Sequence, residues 1–366
     1  MHKLLRQGLA THLMALLLCA CALAMPAQAR VVADLYEVVE AVPSRGATDR
    51  EEAARRGLER VFVRVTGETS VAGDPQLGAE LERAQQYLQS YRYEVEDNQL
   101  HLHLSYEPQA IAQQVQRLQL PLWPNNRPAT LVWLAVDTLQ SGRSAPSQQQ
   151  SPEVYDALEE MAVERGLPVD FPAMDELDRS AMPLANLWAQ DERAAERAGV
   201  RYRPDATLMG RALELSAGRW QANWLLIHGR RAYAFDARGD TLEEVAQQGI
   251  AGAADLLAER YAIRAGEAGQ QNALVLELSG INEFADYTGA IDYLQGLAQI
   301  SSAELLSVDN DRLRFSITAT VGLDRLRDAL ALNRRLSASA EEDLIDLTGY
   351  RAPPGSPQNP LRYRWQ

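Results

Sequence analysis

Apolar and polar positions along this chain follow two periods. Ala54, Leu58, Val61, Phe62 and Val65 recur at helical spacing up to Gly67, behind a Thr48-Asp-Arg-Glu51 capping-box sequence, and predict an amphipathic helix. Leu35 to Val42 reads as a strand before it. Asp74-Pro75 opens a second helix with Leu77, Leu81, Ala84 and Leu88 on one side. YRYEV and LHLHLSY alternate with period two around Glu96-Asp97-Asn98-Gln99, the pattern of a hairpin. Glu107 to Leu118 is helical in pattern, and ATLVWLAVD, Ala129 to Asp137, is a near-continuous apolar strand of the kind covered on both faces.

Ser141 to Ser151 breaks the pattern, because SGRSAPSQQQS is Ser/Gln-rich without apolar periodicity and reads as a linker. Beyond it the spacing predicts a helix over Pro152 to Arg165, the segment GLPVDFPAMDELDR, a charged helix over Trp188 to Ala198 and a strand over Ala206 to Leu215. WQANWLLIHGRRAYAFDARG reads as a hairpin, and Thr241 to Tyr261 as a closing helix. RAGEAGQQN is a second linker. LVLELSG is then a strand, Phe284 to Ala298 a helix, AELLSV and LRFSITAT a hairpin around Asp309-Asn310-Asp311, and Leu323 to Leu336 a helix. That β-α-β-β-α order is the split-βαβ arrangement of a ferredoxin-like sandwich. The closing APPGSPQNPLRYRWQ is Pro-rich and reads as disordered.

The expected fold is therefore mixed α/β (α+β), in two to three small domains. They cover residues 30–140, 152–264 and 272–336, joined by linkers 141–151 and 265–271 and followed by a tail over 337–366. A chain of 366 residues exceeds what one core usually organises, and 46% apolar residues suffice for several cores.

The first 29 residues stand apart. Lys3 and Arg6 precede an apolar run from Leu13 to Met25, and Ala27-Gln28-Ala29 follows ahead of Arg30, the A-x-A pattern of a secretory cleavage site. The run falls short of the roughly 20 residues that span a bilayer. Residues 1–29 are expected to be a signal peptide cleaved after Ala29, with the periplasm as destination. Both cysteines, Cys19 and Cys21, would leave with it, so no disulfide, thiol nucleophile or Cys-based metal site is expected in the remainder. Leu18-Cys19-Ala20-Cys21 also fits a lipoprotein signal, which makes a lipid anchor on Cys21 the alternative.

Composition narrows the chemistry. Lys3 is the only lysine, and past residue 29 the chain keeps 34 basic residues, all arginine, against 50 acids, a net charge of −16. Such a balance repels phosphate backbones, so nucleic-acid binding is not expected. A lysine-free body also excludes a P-loop lysine, a pyridoxal Schiff base and a Ser-x-x-Lys acylation pair.

Three histidines remain past residue 29. His101 and His103 alternate with Leu100, Leu102 and Leu104, so both imidazoles share one strand face and the leucines the other. An H-x-H pair on a strand can start a zinc site, but His228 or a carboxylate would have to complete it, and no acid stands at a diagnostic spacing. A solvated face is therefore the expectation for His101 and His103. His228 follows Trp220, Ala222, Trp224 and Leu226 at strand alternation and reads as a core or edge histidine. No G-x-S-x-G elbow supports a serine hydrolase. Asp175-Glu176-Asp178 reads as a helix start and Asp309-Asn310-Asp311 as a hairpin turn, rather than as calcium or paired-carboxylate sites. No cofactor is expected. Arg362, Tyr363, Arg364 and Trp365 form one short basic-aromatic cluster in an acidic protein, suited to a partner groove or an anionic membrane surface, with a frayed terminus as the alternative.

The segments LYEVVEAVPSR, GLERVFVRVTG, AQQYLQSYRYE, RPATLVWLAVD, GLPVDFPAMDELDR, RYRPDATLMGR and WQANW together resemble the uncharacterised Gram-negative envelope proteins grouped as domain of unknown function 2066. That likeness runs over nearly all of the chain past residue 29, implies a secreted protein and carries over no catalytic residues. The middle unit is similar in element order to the α/β domain that precedes the propeller in the periplasmic Tol-system protein. Domains of that kind bind partner proteins, and the likeness is one of fold alone.

The expectation is a secreted periplasmic protein that acts as a non-enzymatic binding or assembly module of the cell envelope. It would have an envelope protein partner, no nucleic acid and no transmembrane span. Two alternatives stand beside it: a metal-dependent envelope hydrolase using His101 and His103, and a lipid-anchored outer-membrane accessory protein.

Overall fold

The computed structural model describes residue 32 and residues 34–216, 218–264, 272–339 and 352–366. The expected signal peptide, the second linker over 265–271 and residues 340–351 lie outside the described residues. The described part is mixed α/β, as its periodicities imply, with three sheets.

In the first sheet β1 (Glu37–Ala41), β2 (Leu88–Glu96) and β3 (Gln99–Tyr106) are antiparallel in the order β1-β3-β2. Asp97 and Asn98, with φ of 47° and 64°, form the two-residue turn between β2 and β3, a backbone that short polar side chains tolerate. The helices α1 (Ala47–Thr66), α2 (Pro75–Leu81) and α3 (Pro108–Arg117) cover one face, where Leu102, Leu104 and Tyr106 join Leu58, Phe62, Leu77 and Ile111 in one core. Asp74 caps α2 by accepting from the Gln76 N–H, as the Asp-Pro pair predicts. The capping box expected at Thr48 does not form, because the N-cap of α1 falls two residues earlier, on Gly46, and no side chain caps it.

The second sheet holds β4 (Thr130–Thr138), β5 (Gly142–Ser144), β7 (Ala206–Ser216), β8 (Arg219–His228) and β9 (Arg231–Gly239) in the order β5-β4-β7-β8-β9, with β6 (Val169–Asp170) also on β4. Strand β4 runs parallel to β6 and β7, and the other pairs are antiparallel. On one side of the sheet lie α4 (Pro152–Arg165) and α8 (Leu242–Tyr261); on the other lie α5 (Glu176–Ala181), α6 (Leu184–Trp188) and α7 (Glu192–Tyr202). The apolar run of β4 divides between these layers. Val132, Leu134 and Val136 pack with Leu158 and Ile250, whereas Leu131, Trp133 and Ala135 pack with Leu187, Ala194 and Ala198.

Strand β4 is thus the spine of the second unit, and the boundary expected at residue 140 falls instead before Thr130. The Ser/Gln stretch over 141–151 is tied in as well. Gly142–Ser144 pairs with Val136–Thr138, and the Tyr155 hydroxyl donates to the Pro146 carbonyl at 2.8 Å. The charged helix starts later than its composition predicts, at Glu192, because the Asp191 carboxylate accepts from the Arg193 and Ala194 N–H groups and sets the cap there.

The third sheet has the order β11-β12-β10-β14-β13, from β10 (Asn272–Ser279), β11 (Ile300–Asp309), β12 (Arg312–Ala319), β13 (Leu336–Ala338) and β14 (Leu361–Trp365), with α9 (Phe284–Gly296) and α10 (Leu323–Ala331). The β-α-β-β-α succession follows the sequence pattern, but the helix expected to reach Leu336 stops at Ala331 and yields to β13. The tail departs from expectation altogether. Strand β14 runs parallel to β10, from Leu276 opposite Leu361 to Ser279 opposite Arg364, and lies between β10 and β13. Its alternation is the physical reason, since Leu361, Tyr363 and Trp365 enter the core with Leu278, Leu294 and Leu336. The Pro/Gly stretch ahead of it makes a bend in which the Val275 N–H reaches the Gly355 carbonyl at 2.7 Å.

The first two units meet at three buried arginines. Arg127 is fully buried and spends five donor contacts on main-chain carbonyls. They are Pro124 (3.0 Å), Trp123 (3.0 Å), Arg64 (2.7 Å), Arg165 (3.0 Å) and Gly166 (3.0 Å). The last three acceptors belong to the C-terminal ends of α1 and α4, so one guanidinium faces the negative ends of two helix dipoles. Its plane also lies 4.0 Å from the Trp123 ring. Arg64 reaches the carbonyls of Asp34 (3.0 Å) and Glu37 (2.8 Å), and Arg165 reaches Gly67 O (2.8 Å) and the Asp255 carboxylate (2.6 Å). Burial, with Arg64 nearby, pulls the Arg127 pKa well below its usual value, and the ring of carbonyl dipoles is what offsets that penalty. Arg127→Met is expected to lower the unfolding free energy by about 3 kcal/mol or more, since it strands several buried carbonyls. Urea denaturation reads the effect, and a loss below about 1 kcal/mol would contradict this role.

Candidate functional site

Strand β2 stands at one edge of the first sheet and pairs with β3 alone among the described residues. Its register puts Arg92 opposite His103 and Glu94 opposite His101 on the outer face. Tyr91, Tyr93 and Val95 fall on the inner face, opposite Leu104, Leu102 and Leu100. The helices bury Leu102 and Leu104 but only partly cover Leu100 and Tyr93, leaving Tyr91 49% and Val95 61% exposed.

This overhang carries a cation-aromatic strip. The Tyr91 and Tyr93 rings meet edge to face at 6.1 Å, with Arg45 5.5 Å from the Tyr93 ring and Arg50 5.3 Å from that of Tyr91. The Tyr93 hydroxyl is shielded from solvent beside Arg50 and makes no well-aligned hydrogen bond. Tyrosine and arginine are the side chains enriched where proteins meet partners. The alternation Tyr91-Tyr93-Val95 is visible in the sequence, but that it lies on an uncovered edge is a property of the sheet order.

On the outer face the histidines are placed as their alternation predicts, with Leu102 and Leu104 buried behind them. Of the two, His103 is the one gathered with carboxylates: its ligand atom and those of Glu94 and Glu96 lie within 4.8 Å of one another, and His101 stands outside that group. Arg92 already supplies a positive charge there. It bonds the Glu94 carboxylate and donates to His103 Nδ1 at 3.2 Å, while Nε2 stands 3.1 Å from Glu94 without hydrogen-bond alignment. A metal on the unbonded Nε2 of His103 would have to compete with the exposed Arg92 guanidinium for the Glu94 carboxylate.

The other sequence-predicted positions have structural partners. Asp175 caps α5 by accepting from the Asp178 N–H at 3.0 Å, and Arg201 bridges Asp175 and Asp178. Asn310, with φ of 52°, turns the β11–β12 hairpin, and Asp311 accepts from the Gly280 N–H at 3.2 Å. Tyr363 and Trp365 are buried in the third core, Arg362 lies 3.7 Å from Glu277, and Arg364 stays exposed. The tail cluster expected to contact a partner is thus occupied within its own sheet, because its two aromatic residues share the buried strand face. Between the first two units a cavity of about 610 Å³ runs between β1 and α4, lined by Val39, Val163 and Val169 and by Arg60, which bridges Glu40 and Glu164.

A family model described as a domain of unknown function (DUF8605) matches residues 29–124. That stretch ends at Pro124, where the chain leaves the first unit for β4. No curated protein matches the chain. No helix among the described residues is long and apolar enough to cross a membrane.

Half-buried His228 closes β8 in a polar pair with Tyr261. Its Nδ1–H donates to the Asp205 carbonyl at 2.8 Å, and Nε2 accepts from the Tyr261 hydroxyl at 2.5 Å. Burial lowers the His228 pKa from its usual 6.5, so the folded chain takes up this proton at lower pH than the unfolded one. The neutral ring therefore contributes stability above the unfolded pKa that is lost as pH falls below about 6.5. His228→Gln is expected to flatten the decline in urea midpoint between pH 7.5 and pH 5.5; a slope equal to that of the wild type would refute the assignment.

Proposed function

We propose that the protein is an exported, non-enzymatic binding or assembly module of the Gram-negative cell envelope. The reading rests on one observation, the strip of exposed Tyr91 and Val95 flanking half-buried Tyr93, with Arg45 and Arg50, on an open sheet edge. Aromatic rings that fold inward over a sheet yet stay uncovered retain apolar area for a partner to bury. The Ala27-Gln28-Ala29 motif supports export, and segments past residue 124, such as GLPVDFPAMDELDR, support kinship with the envelope proteins of domain of unknown function 2066. A photo-crosslinking amino acid at position 91 is expected to give discrete adducts in intact cells, on a product that begins at Arg30. The same group at exposed Leu177 should give none. Equal background at both positions would sink the binding reading, and a diacylglyceryl group on Cys21 would make the protein a lipid-anchored accessory instead.

A second reading, a metal-dependent envelope hydrolase, draws on the Glu94-Glu96-His103 group. Its geometry shifts the candidate ligands from the His101 and His103 pair to His103 with two carboxylates. Stoichiometric zinc in the purified protein, lost in His103→Ala but retained in His101→Ala, would carry that reading. Metal at background level in both, after equilibration with zinc, would remove it.

A further inference from the structure

We infer that the open edge of β2 pairs with β2 of a second copy of this chain, antiparallel about a two-fold axis at Tyr93, to give one continuous six-stranded sheet. The inference rests on the reading of this strip as a binding surface and names its occupant.

The two edges of the first sheet differ in a telling way. The outer carbonyls of β1 are already occupied: Arg64 donates to Glu37 O at 2.8 Å and Arg60 to Val39 O at 3.3 Å. The long side chains of α1 thus close that edge to strand addition. Among the described residues no such bonds reach β2. The turn register fixes which of its backbone groups look outward, because Glu96 and Gln99 form the hydrogen-bonded pair that closes the two-residue loop. Arg92 and Glu94 consequently bond to β3, and the N–H and C=O groups of Tyr91, Tyr93 and Val95 point away from it. On the inner face Tyr91 and Val95 are left exposed, with Tyr93 half-buried between them.

Charge selects the second copy and its register. With Tyr93 opposite Tyr93, Tyr91 meets Val95 of the second copy, and Arg92 meets Glu94 of the second copy twice. Arg92 and Glu94 are then directly opposite in the closer, non-hydrogen-bonded kind of pair. Sliding two residues one way sets Arg92 against Arg92, and the other way sets Glu94 against Glu94. Among these three registers, which share the same outward backbone groups, only the central one opposes no like charges. The contact is self-complementary, as an isologous two-fold interface requires. It also brings the two Tyr93 side chains together, where each hydroxyl lacks a well-aligned hydrogen bond. Arg92 would exchange its own-strand Glu94 for the carboxylate across the axis.

Sedimentation equilibrium of the full chain, with Cys19→Ala and Cys21→Ala to exclude disulfide artefacts, tests this. The chain is expected to be a dimer that weakens with added salt. Arg92→Glu and Glu94→Arg should each raise the dimer dissociation constant about tenfold or more, and the double variant R92E/E94R should restore it. Far-UV circular dichroism checks that every variant is folded. A monomer at all concentrations, or a dimer indifferent to the three variants, overturns the inference. A monomer that still gives discrete adducts at position 91 to another protein leaves the binding reading standing with a different occupant. The absence of both dimer and adducts removes the two together.

Discussion

One guanidinium holds the ends of two helices. Arg127 sits where α1 and α4 terminate, and each helix leaves carbonyls there that have no partner of their own. A carboxylate is not needed to neutralise the cation, because two sets of aligned peptide dipoles converge on it. The surroundings are shaped to that purpose. Gly67 and Gly166 close the helices with φ of 75° and 62°, and a Cβ on Gly166 would come within 2.6 Å of Arg127 Nη1. Arginine is the one side chain with five planar donors, and an ammonium offers three. In a chain whose only lysine lies at position 3, the basic residues available for such a seam are arginines.

This seam makes the first two units a single block. Trp123 lies between them, its main-chain N–H on the Val65 carbonyl, and an adjoining pair of main-chain hydrogen bonds joins Leu122 to Ile263. Arg260 reaches Asp328 at 2.6 Å, and Arg325 reaches the Ala262 carbonyl at 3.1 Å, so the third unit is fastened to the end of α8 by arginines again. The β2 edge projects from the far side of the first sheet. A binding surface so placed is presented by a rigid support, with little ordering entropy to lose on association.

Much of this architecture is written in local pattern. The β2–β3 hairpin, α4, α8 and the β8–β9 hairpin follow from periodicity and from turn residues such as Asp97-Asn98, because one face of each element is apolar and short-range chemistry sets its ends. Long-range partnership was not legible. The run of β4 announces burial on both sides, but nothing local says that its parallel neighbour is β7, so periodicity alone groups it with the unit before it. Leu361, Tyr363 and Trp365 alternate like any strand, yet their Pro-rich preface suggests disorder, and the vacancy beside β10 that receives them is set by residues more than 80 positions earlier. The buried arginines give no signal at all in composition, since a charged residue between helix ends looks like any surface arginine. The candidate site divides the same way. His101 and His103 are on one face as alternation requires, whereas the company of His103 depends on side chains leaning along β2.

Strand β14 also has a consequence in time. Its place is between β10 and β13, both of which precede it in the chain, so the third sheet cannot reach its final order until residues 361–365 have been made. Until then the flank of β10 and the apolar face shared by Leu276, Leu278 and Leu294 lie bare. Closing a loop of that length is slow compared with local hairpin formation. A chain of this design therefore holds one core open until β14 is in place, and a holding chaperone would find its binding site in that gap.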